Sequence, residues 1–363
     1  MDKILKAPMK YIQGRGIIEH LSDYISQKYP QIIIIADEFV IQNMKEQLLA
    51  SLKHHQVIVI EVPKVCSKDT LFKLIETYEL ISTALIIGVG GGKTMDVAKG
   101  LGFFLGSDVI VVPTIASTDA PCSSLAVLYH DDFTLDSYLY LKRSPSVVLV
   151  DLDVIAKAPI RLFVAGIGDA LSTYIEAKAC YEAHSVNEAG GRTSYSALMI
   201  AKICYESIIN YALVAVSDMK KGIISEAVEN MVETTIFLSG IGFESGGLSI
   251  AHTLHNALTK VESTKSAIHG EIVAYTTLVQ IVCNNEDEKS FQNVYKLCKE
   301  IGLPTSLEDL GIEINEKMIE IIEEECFLKS SNIHNVPYEM DINKLEAAIH
   351  YVESYKESYV LCI

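Results

Sequence analysis

The chain changes its hydrophobic rhythm part-way along. Up to about Lys157, short runs of branched apolar residues alternate with amphipathic stretches. Gln31–Ala36, Gln56–Val62, Ala84–Val89, Val109–Val112 and Ser146–Val150 are strand-length and rich in Ile and Val. Each gives way to a turn or a polar segment. Between them, Phe39–His54, Lys68–Tyr78 and Lys93–Leu105 carry helical spacing. Such alternation predicts a mainly parallel sheet covered on both faces. After Pro159 the strand signals fade. Ile167–Ala183, Thr193–Tyr211, Ile223–Gly240, Ser249–Thr259, Glu271–Cys283 and Lys344–Tyr355 predict helices instead. The expected division is an α/β half, 1–158, and an all-α half, 159–363, without internal repeats.

Composition narrows the class. A chain of 363 residues, 49% hydrophobic and 21% charged, can bury a sizeable core without disulfides or structural metal. The net charge of −17 argues against a nucleic-acid or anionic-membrane partner, which would want clustered Lys and Arg. The longest near-continuous apolar runs, Ile32–Ala36 and Leu85–Val89, are strand-length, so no membrane span is expected. Met1–Lys10 holds no apolar stretch of signal length. The eight cysteines are scattered with no C-x-x-C pair, which favours free thiols in a reducing cytoplasm over disulfides or a cysteine-built zinc cluster.

Candidate chemistry begins at Ile86–Lys99, IIGVGGGKTMDVAK, where a buried strand runs through four glycines into a helix. Glycine permits a tight turn and close backbone approach, and the helix start offers unpaired N–H donors, so a pyrophosphate fits there. Lys93 adds a positive charge. The order differs from G-x-G-x-x-G, because the acidic candidate, Asp37, follows an earlier strand. One strand further on, Pro113–Ser124, PTIASTDAPCSS, makes a second polar strand-end loop. Ligands of open α/β sheets bind at such strand ends.

The helical half offers metal ligands. Gly166–Glu176, GIGDALSTYIE, places Asp169 at the expected start of a helix. Gly246–Thr259, GGLSIAHTLHNALT, carries His252 and His255 on one helical face, and His269 follows in AIHGE. Two imidazoles and a carboxylate make a three-ligand site with an open position, the usual arrangement for catalytic Zn²⁺.

GVGGGKTMDVAK, PTIASTDAPCSSLAVLY, GIGDALSTYIEA, GFESGGLSIAHTLHNAL and HGEIVAYTTL, in this order, resemble the glycerol dehydrogenases. These belong to the metal-dependent alcohol dehydrogenase superfamily, which shares its fold with dehydroquinate synthase. The resemblance runs from about Tyr11 to about Tyr355. It implies an α/β dinucleotide-binding domain over 1–158 and a helical metal- and substrate-binding domain over 159–363. It implies Asp169, His252 and His269 as metal ligands, and Asp119 beside the substrate. Asp37 would take the adenosine ribose, and Gly91, Gly92 and Lys93 the pyrophosphate. Thr114, Ser117, Ser123, Leu125 and Tyr129 would line the rest of the NAD site. His255 would stand beside the ligands, hydrogen-bonding near the metal or passing a proton. The implied reaction is reversible NAD- and zinc-dependent oxidation of glycerol to dihydroxyacetone, a metal-bound alkoxide giving hydride to nicotinamide C4. The implied setting is a cytoplasmic homo-oligomer, often an octamer, serving glycerol metabolism.

Some positions depart from the family pattern. Ile272 stands where the family usually has Lys, and Ser331-Asn332 where it has Glu-Thr. Thr173 stands four residues after the aspartate, where iron-dependent relatives carry a fourth ligand, a histidine. Within the class, 1,2-propanediol, 2,3-butanediol or hydroxyacetone are alternative substrates. A glycerol-1-phosphate substrate would want Arg or Lys near Asp119, Asp169 and His252, and those segments contain none. A regulator without catalysis would be expected to lack a ligand, and none of Asp119, Asp169, His252 and His269 is missing.

Overall fold

The computed structural model describes every residue except Gln27, Phe133, Glu262, Ser263, Lys265, Cys362 and Ile363, and only the backbone of 357–361. The chain forms two compact units. One comprises Lys6–Ala116 and Ala120–Ala158; the other comprises Pro159–Ile363 with Met1–Leu5 and Ser117–Asp119.

The α/β unit runs β1 (Lys10–Gly14), β2 (Gln31–Ala36), α1 (Glu38–Asn43), α2 (Lys45–Ser51), β3 (Gln56–Glu61), α3 (Lys68–Thr77), β4 (Leu85–Gly90) and α4 (Gly92–Leu105). It continues with β5 (Val109–Pro113), β6 (Leu125–Tyr129), β7 (Leu135–Tyr140), β8 (Val147–Asp151) and α5 (Leu152–Ile155). Six strands pair in the order β1-β8-β5-β4-β2-β3, all parallel, while β6 and β7 form an antiparallel hairpin. Continuous Ile/Val runs at β2, β4, β5 and β8 are what a sheet buried on both faces requires, and Ile32–Ile35 have no exposed surface. Because all six strands are parallel, β2, β4 and β5 end on one edge, at Ala36, Gly90 and Pro113.

The helical unit runs α6 (Ile160–Ala183), α7 (Tyr195–Lys220), α8 (Glu226–Glu233), α9 (Ser239–Gly246), α10 (Ile250–Leu258), α11 (His269–Cys283), α12 (Glu288–Ile301), α13 (Glu316–Cys326) and α14 (Ile342–Leu361). α6 packs on α7, α9 and α11, and α10 on α11.

Several expected boundaries move. The single helix expected over Phe39–His54 breaks at Met44, where the Asn43 side chain donates to the Phe39 carbonyl at 2.7 Å and competes with the helical ladder. Ile223–Gly240 is not one helix: a π-helical turn, Thr234–Leu238, separates α8 from α9. The strand β1, the β6–β7 hairpin and the helices α12 and α13 had no counterpart in the sequence pattern. Among the described residues one helix, α7, is long and apolar enough to cross a membrane, with 33% of its most apolar stretch buried. That corrects the expectation of no such segment. Polar residues such as Lys202 and Glu206 interrupt the run in sequence. The seven described cysteines form no disulfide and are buried, and Cys362 lies outside the described residues.

The largest correction concerns α6. It begins at Ile160, so Asp169 sits well inside a 24-residue helix rather than at its start. Gly166 and Gly168 look like a helix boundary, yet they remain helical because α6 and α11 meet backbone to backbone. A Cβ on Gly168 would lie 2.4 Å from the Gly270 carbonyl oxygen, and one on Gly270 would lie 1.8 Å from the Ala165 carbonyl oxygen. Only glycine allows that approach. Gly270→Ala is therefore expected to push the helices apart and destabilise the protein by about 3 kcal/mol, the upper part of the overpacking range. Urea unfolding checks it. Gly92→Ala, where a Cβ meets nothing within 4 Å, serves as the mild control.

Candidate metal centre and dinucleotide loop

The helix crossing brings two candidate ligands together, since Asp169 follows Gly168 and His269 precedes Gly270. Asp169 is 1% exposed, a charge that burial would penalise heavily if unpaired. Its Oδ1 lies 3.0 Å from His269 Nε2 and 3.5 Å from His252 Nε2. One ligand atom from each of Asp169, His252 and His269 falls within 4.8 Å of the others. Burial alone would raise the Asp169 carboxyl, but the imidazoles of His269 and His252 hold it well below the usual carboxylate range. A bound cation would take the place of that positive charge.

His252 is oriented by a residue the sequence reading passed over. Glu176 lies two turns after Asp169 on α6 and has no exposed surface. Its Oε2 sits 2.6 Å from His252 Nδ1, while Oε1 accepts the backbone N–H groups of Ser249 (2.8 Å) and His252 (3.1 Å). With Nδ1–H donated to a carboxylate, Nε2 faces Asp169, and a cation that displaced its proton would meet a lone pair there. Burial would lower the His252 imidazole, but Glu176 and Asp169 outweigh it and hold it well above its ordinary value.

The same contacts build the start of α10, whose N-cap side chain makes no capping bond. Glu176 serves the Ser249 and His252 amides, and Gln280 Oε1 from α11 accepts Ala251 N–H at 2.7 Å. Buried helix starts need such partners. At the start of α11, Glu271 reaches back to the Ile268 N–H at 2.8 Å. Arg161 binds the two oxygens of that carboxylate at 2.6 and 2.7 Å.

Asp119 belongs to this unit. Its N–H donates to Asp169 Oδ2 at 3.3 Å, and its Oδ2 accepts from Ser239 Oγ at 2.9 Å. His255 is buried, its ring 4.2 Å from that of His269 and its Nδ1 3.0 Å from Asn256 Oδ1. Burial, then the rings of His269 and His252, push His255 well below its ordinary value. Ser117 is buried in the same unit.

The other nucleotide candidates lie in the α/β unit. Gly90 adopts φ 155°, and a Cβ there would meet Thr94 Oγ1 at 2.5 Å and Asp37 Oδ2 at 2.8 Å. Glycine is thus required, and Asp37 stands against the loop. Asp37 also caps α1, accepting Val40 N–H at 2.9 Å. Gly91 is the N-cap of α4, without a side-chain cap, and Gly92 has open space where a Cβ would be. Uncapped N–H groups and open space suit a pyrophosphate. Thr114 N–H donates to Gly90 O at 3.1 Å, joining the two strand-end loops. Lys93 is exposed, its Nζ 3.4 Å from the Lys64 carbonyl.

Ser123, Leu125 and Tyr129 follow in the second loop and β6. A buried lysine missed in sequence, Lys99, organises them: its Nζ donates to Ala120 O (2.5 Å), Ser123 Oγ (3.1 Å) and Leu125 O (2.9 Å). The Ser123 hydroxyl is thus engaged internally, since it also donates to Ala120 O at 3.1 Å. Leu125 and Tyr129 remain half-buried. Burial and the nearby Asp96 raise the Tyr129 phenol above its ordinary value.

The profile of iron-containing alcohol dehydrogenases matches residues 8–152. Glycerol dehydrogenase of Citrobacter freundii is 37% identical over 353 residues, covering 96% of each chain. That of Thermotoga maritima is 39% identical over 333 residues, covering 91% of each. The crystal structure of glycerol dehydrogenase from Schizosaccharomyces pombe superposes with a TM-score of 0.92 at 34% identity, covering 99% of this chain and 92% of that one.

His269→Ala is expected to lose stoichiometric divalent metal, read by elemental analysis. Glu176→Gln keeps the shape but weakens the orienting bond. It is expected to reduce metal affinity roughly 10- to 100-fold, measured by competition with a chromophoric chelator, with the circular dichroism spectrum unchanged.

Proposed function

The chain belongs to the glycerol dehydrogenase group of the iron-containing alcohol dehydrogenases, and from that premise we propose that it catalyses the NAD-linked, zinc-dependent, reversible oxidation of glycerol to dihydroxyacetone. The observation that carries this reading is the triad of the buried Asp169 with the half-buried His252 and His269, with Glu176 behind it and Asp119 beside it. The donor set suits Zn²⁺. Thr173, four residues after Asp169, offers no imidazole, and its hydroxyl lies 2.9 Å from Ser239 Oγ. Among the described residues the set is three, which would leave positions for substrate oxygens and favours zinc over the iron of the family's description.

A divalent ion there supplies Lewis acidity, which makes an alcohol proton easier to lose. The chain's own groups do the rest. Asp119 would accept a hydrogen bond from a substrate hydroxyl and so orient the carbon to be oxidised. An ordinary Asp is too weak a base to be the main proton acceptor, so the hydroxyl proton would leave through water or His255. Arg161, the basic side chain at the start of α6, is held by Glu271 and is not available to a phosphate, which weighs against a phosphorylated substrate. 1,2-Propanediol, 2,3-butanediol and hydroxyacetone fit the same chemistry and are the alternatives.

For the cofactor, Asp37 would accept ribose hydroxyls and repel a 2′-phosphate, and Ala36–Asn43 contains no Arg or Lys to attract one. Gly91, Gly92 and Lys93 would take the pyrophosphate, with Thr114, Ser117, Ser123, Leu125 and Tyr129 along the rest of the dinucleotide. The protein would work in the cytoplasm as a homo-oligomer. The exposed Ile203, Ile209, Leu213 and Val214 of α7 form an apolar face that a second copy would cover.

Dialysed, zinc-restored protein given glycerol and NAD⁺ is expected to generate NADH absorbance. Glycerol and 1,2-propanediol should be turned over much better than 1-propanol. Equal efficiency with 1-propanol would mean that adjacent hydroxyls do not select the substrate. Asp37→Gly is expected to relax the preference for NAD over NADP, read as the ratio of kcat/KM values. A wild-type enzyme equally efficient with NADP would remove Asp37 from the ribose.

A further inference from the structure

The π-helical turn Thr234–Leu238 sits directly before Ser239, the first residue of α9. Such a turn carries an extra residue, rotates everything after it relative to a continuous α-helix, and is found most often at functional sites. Here it turns Ser239, which has no exposed surface, toward Asp119. Ser239 Oγ donates to Asp119 Oδ2 at 2.9 Å, and Thr173 Oγ1 lies 2.9 Å from the same Ser239 oxygen.

The direction of this chain follows from proton counting. A hydroxyl has one proton, and an ionised carboxylate can only accept. Ser239 gives its proton to Asp119, so Thr173 donates to Ser239. The Asp119 residue is then tied at two points: its backbone N–H to Asp169 Oδ2, and its side chain to Ser239.

We propose that Ser239, backed by Thr173, is a positioning residue for polyol recognition. It fixes the orientation of the Asp119 carboxylate relative to Asp169, so that a hydroxyl next to the reacting one finds its acceptor in place. The inference deepens the functional reading above, since it rests on Asp119 meeting substrate. Among the described residues the hydrogen bonds of Ser239 go to Asp119 and Thr173 rather than to the triad, so metal content is expected to be independent of it. Its contribution lies in discriminating vicinal diols from simple alcohols.

Ser239→Ala and the near-isosteric Thr173→Val test this in the zinc-loaded protein. Loss of a hydrogen bond to a charged group is worth roughly tenfold or more. Ser239→Ala is expected to raise KM for glycerol and 1,2-propanediol about tenfold, with kcat and KM for 1-propanol within about twofold of wild type and stoichiometric zinc retained. Thr173→Val should shift KM in the same direction by less. In an Asp119→Asn background Ser239→Ala should add nothing, because the two act as one unit. An unchanged diol KM, or equal loss for 1-propanol and diols, would overturn the inference. A wild-type enzyme inert toward every vicinal diol would instead overturn the functional reading. The positioning role is then decided by the crystal structure of Ser239→Ala: a displaced Asp119 carboxylate supports it, and an unmoved one overturns it.

Discussion

The site depends on how closely two helices can approach. α6 and α11 touch through glycine, with the Gly270 backbone against Ala165 and the Gly168 backbone against Gly270. Asp169 and His269 are the residues next to those glycines, so the contact that sets the helix spacing also sets the spacing of two candidate ligands. A methyl group at either glycine would alter both together. Here packing and chemistry share one coordinate.

That closeness creates an electrostatic problem, because Asp169 and Glu176 both lie on α6 with almost no exposed surface. Two buried carboxylates on one helix face repel each other and lose their hydration. The imidazoles of His252 and His269 stand against Asp169, and Glu176 is satisfied by two amides and a ring nitrogen. A divalent cation at the centre of the arrangement would supply the positive charge that these carboxylates call for. In the α/β unit the buried Lys99 has the converse role, a cation solvated by protein oxygens so that a loop holds its shape.

Much of the fold was legible in the sequence. Strands β2, β4, β5 and β8 lie within a residue or so of their Ile/Val runs, because a doubly covered parallel sheet leaves an unbroken apolar signature. Glycine misled where it mattered most: Gly166 and Gly168 read as a boundary, but serve a tertiary contact that no local window reveals. Asp169, His252 and His269 stood out as polar residues in apolar runs. Glu176 stood in the same stretch and carried the same signal, and was read as part of the helix. Ser239 gave no signal, since its orientation depends on an extra residue in the preceding turn. Asn43 broke a helix through a side-chain bond that hydrophobic periodicity does not register.

The capping of α10 by side chains from α6 and α11 has a consequence for when order is acquired. Fixing His252 in one orientation against Glu176 lowers its entropy, and that loss occurs as the helices dock, before any ligand arrives. An incoming ion then meets a preorganised arrangement, so little of its binding free energy goes into ordering protein. The same rigidity restricts which ions gain from the site. Donors locked on three packed helices cannot spread into a plane, so metals that prefer square-planar surroundings lose the advantage that affinity order alone would give them. Selection among cations is thereby shifted from the strength of individual bonds to the stiffness of the scaffold that carries them.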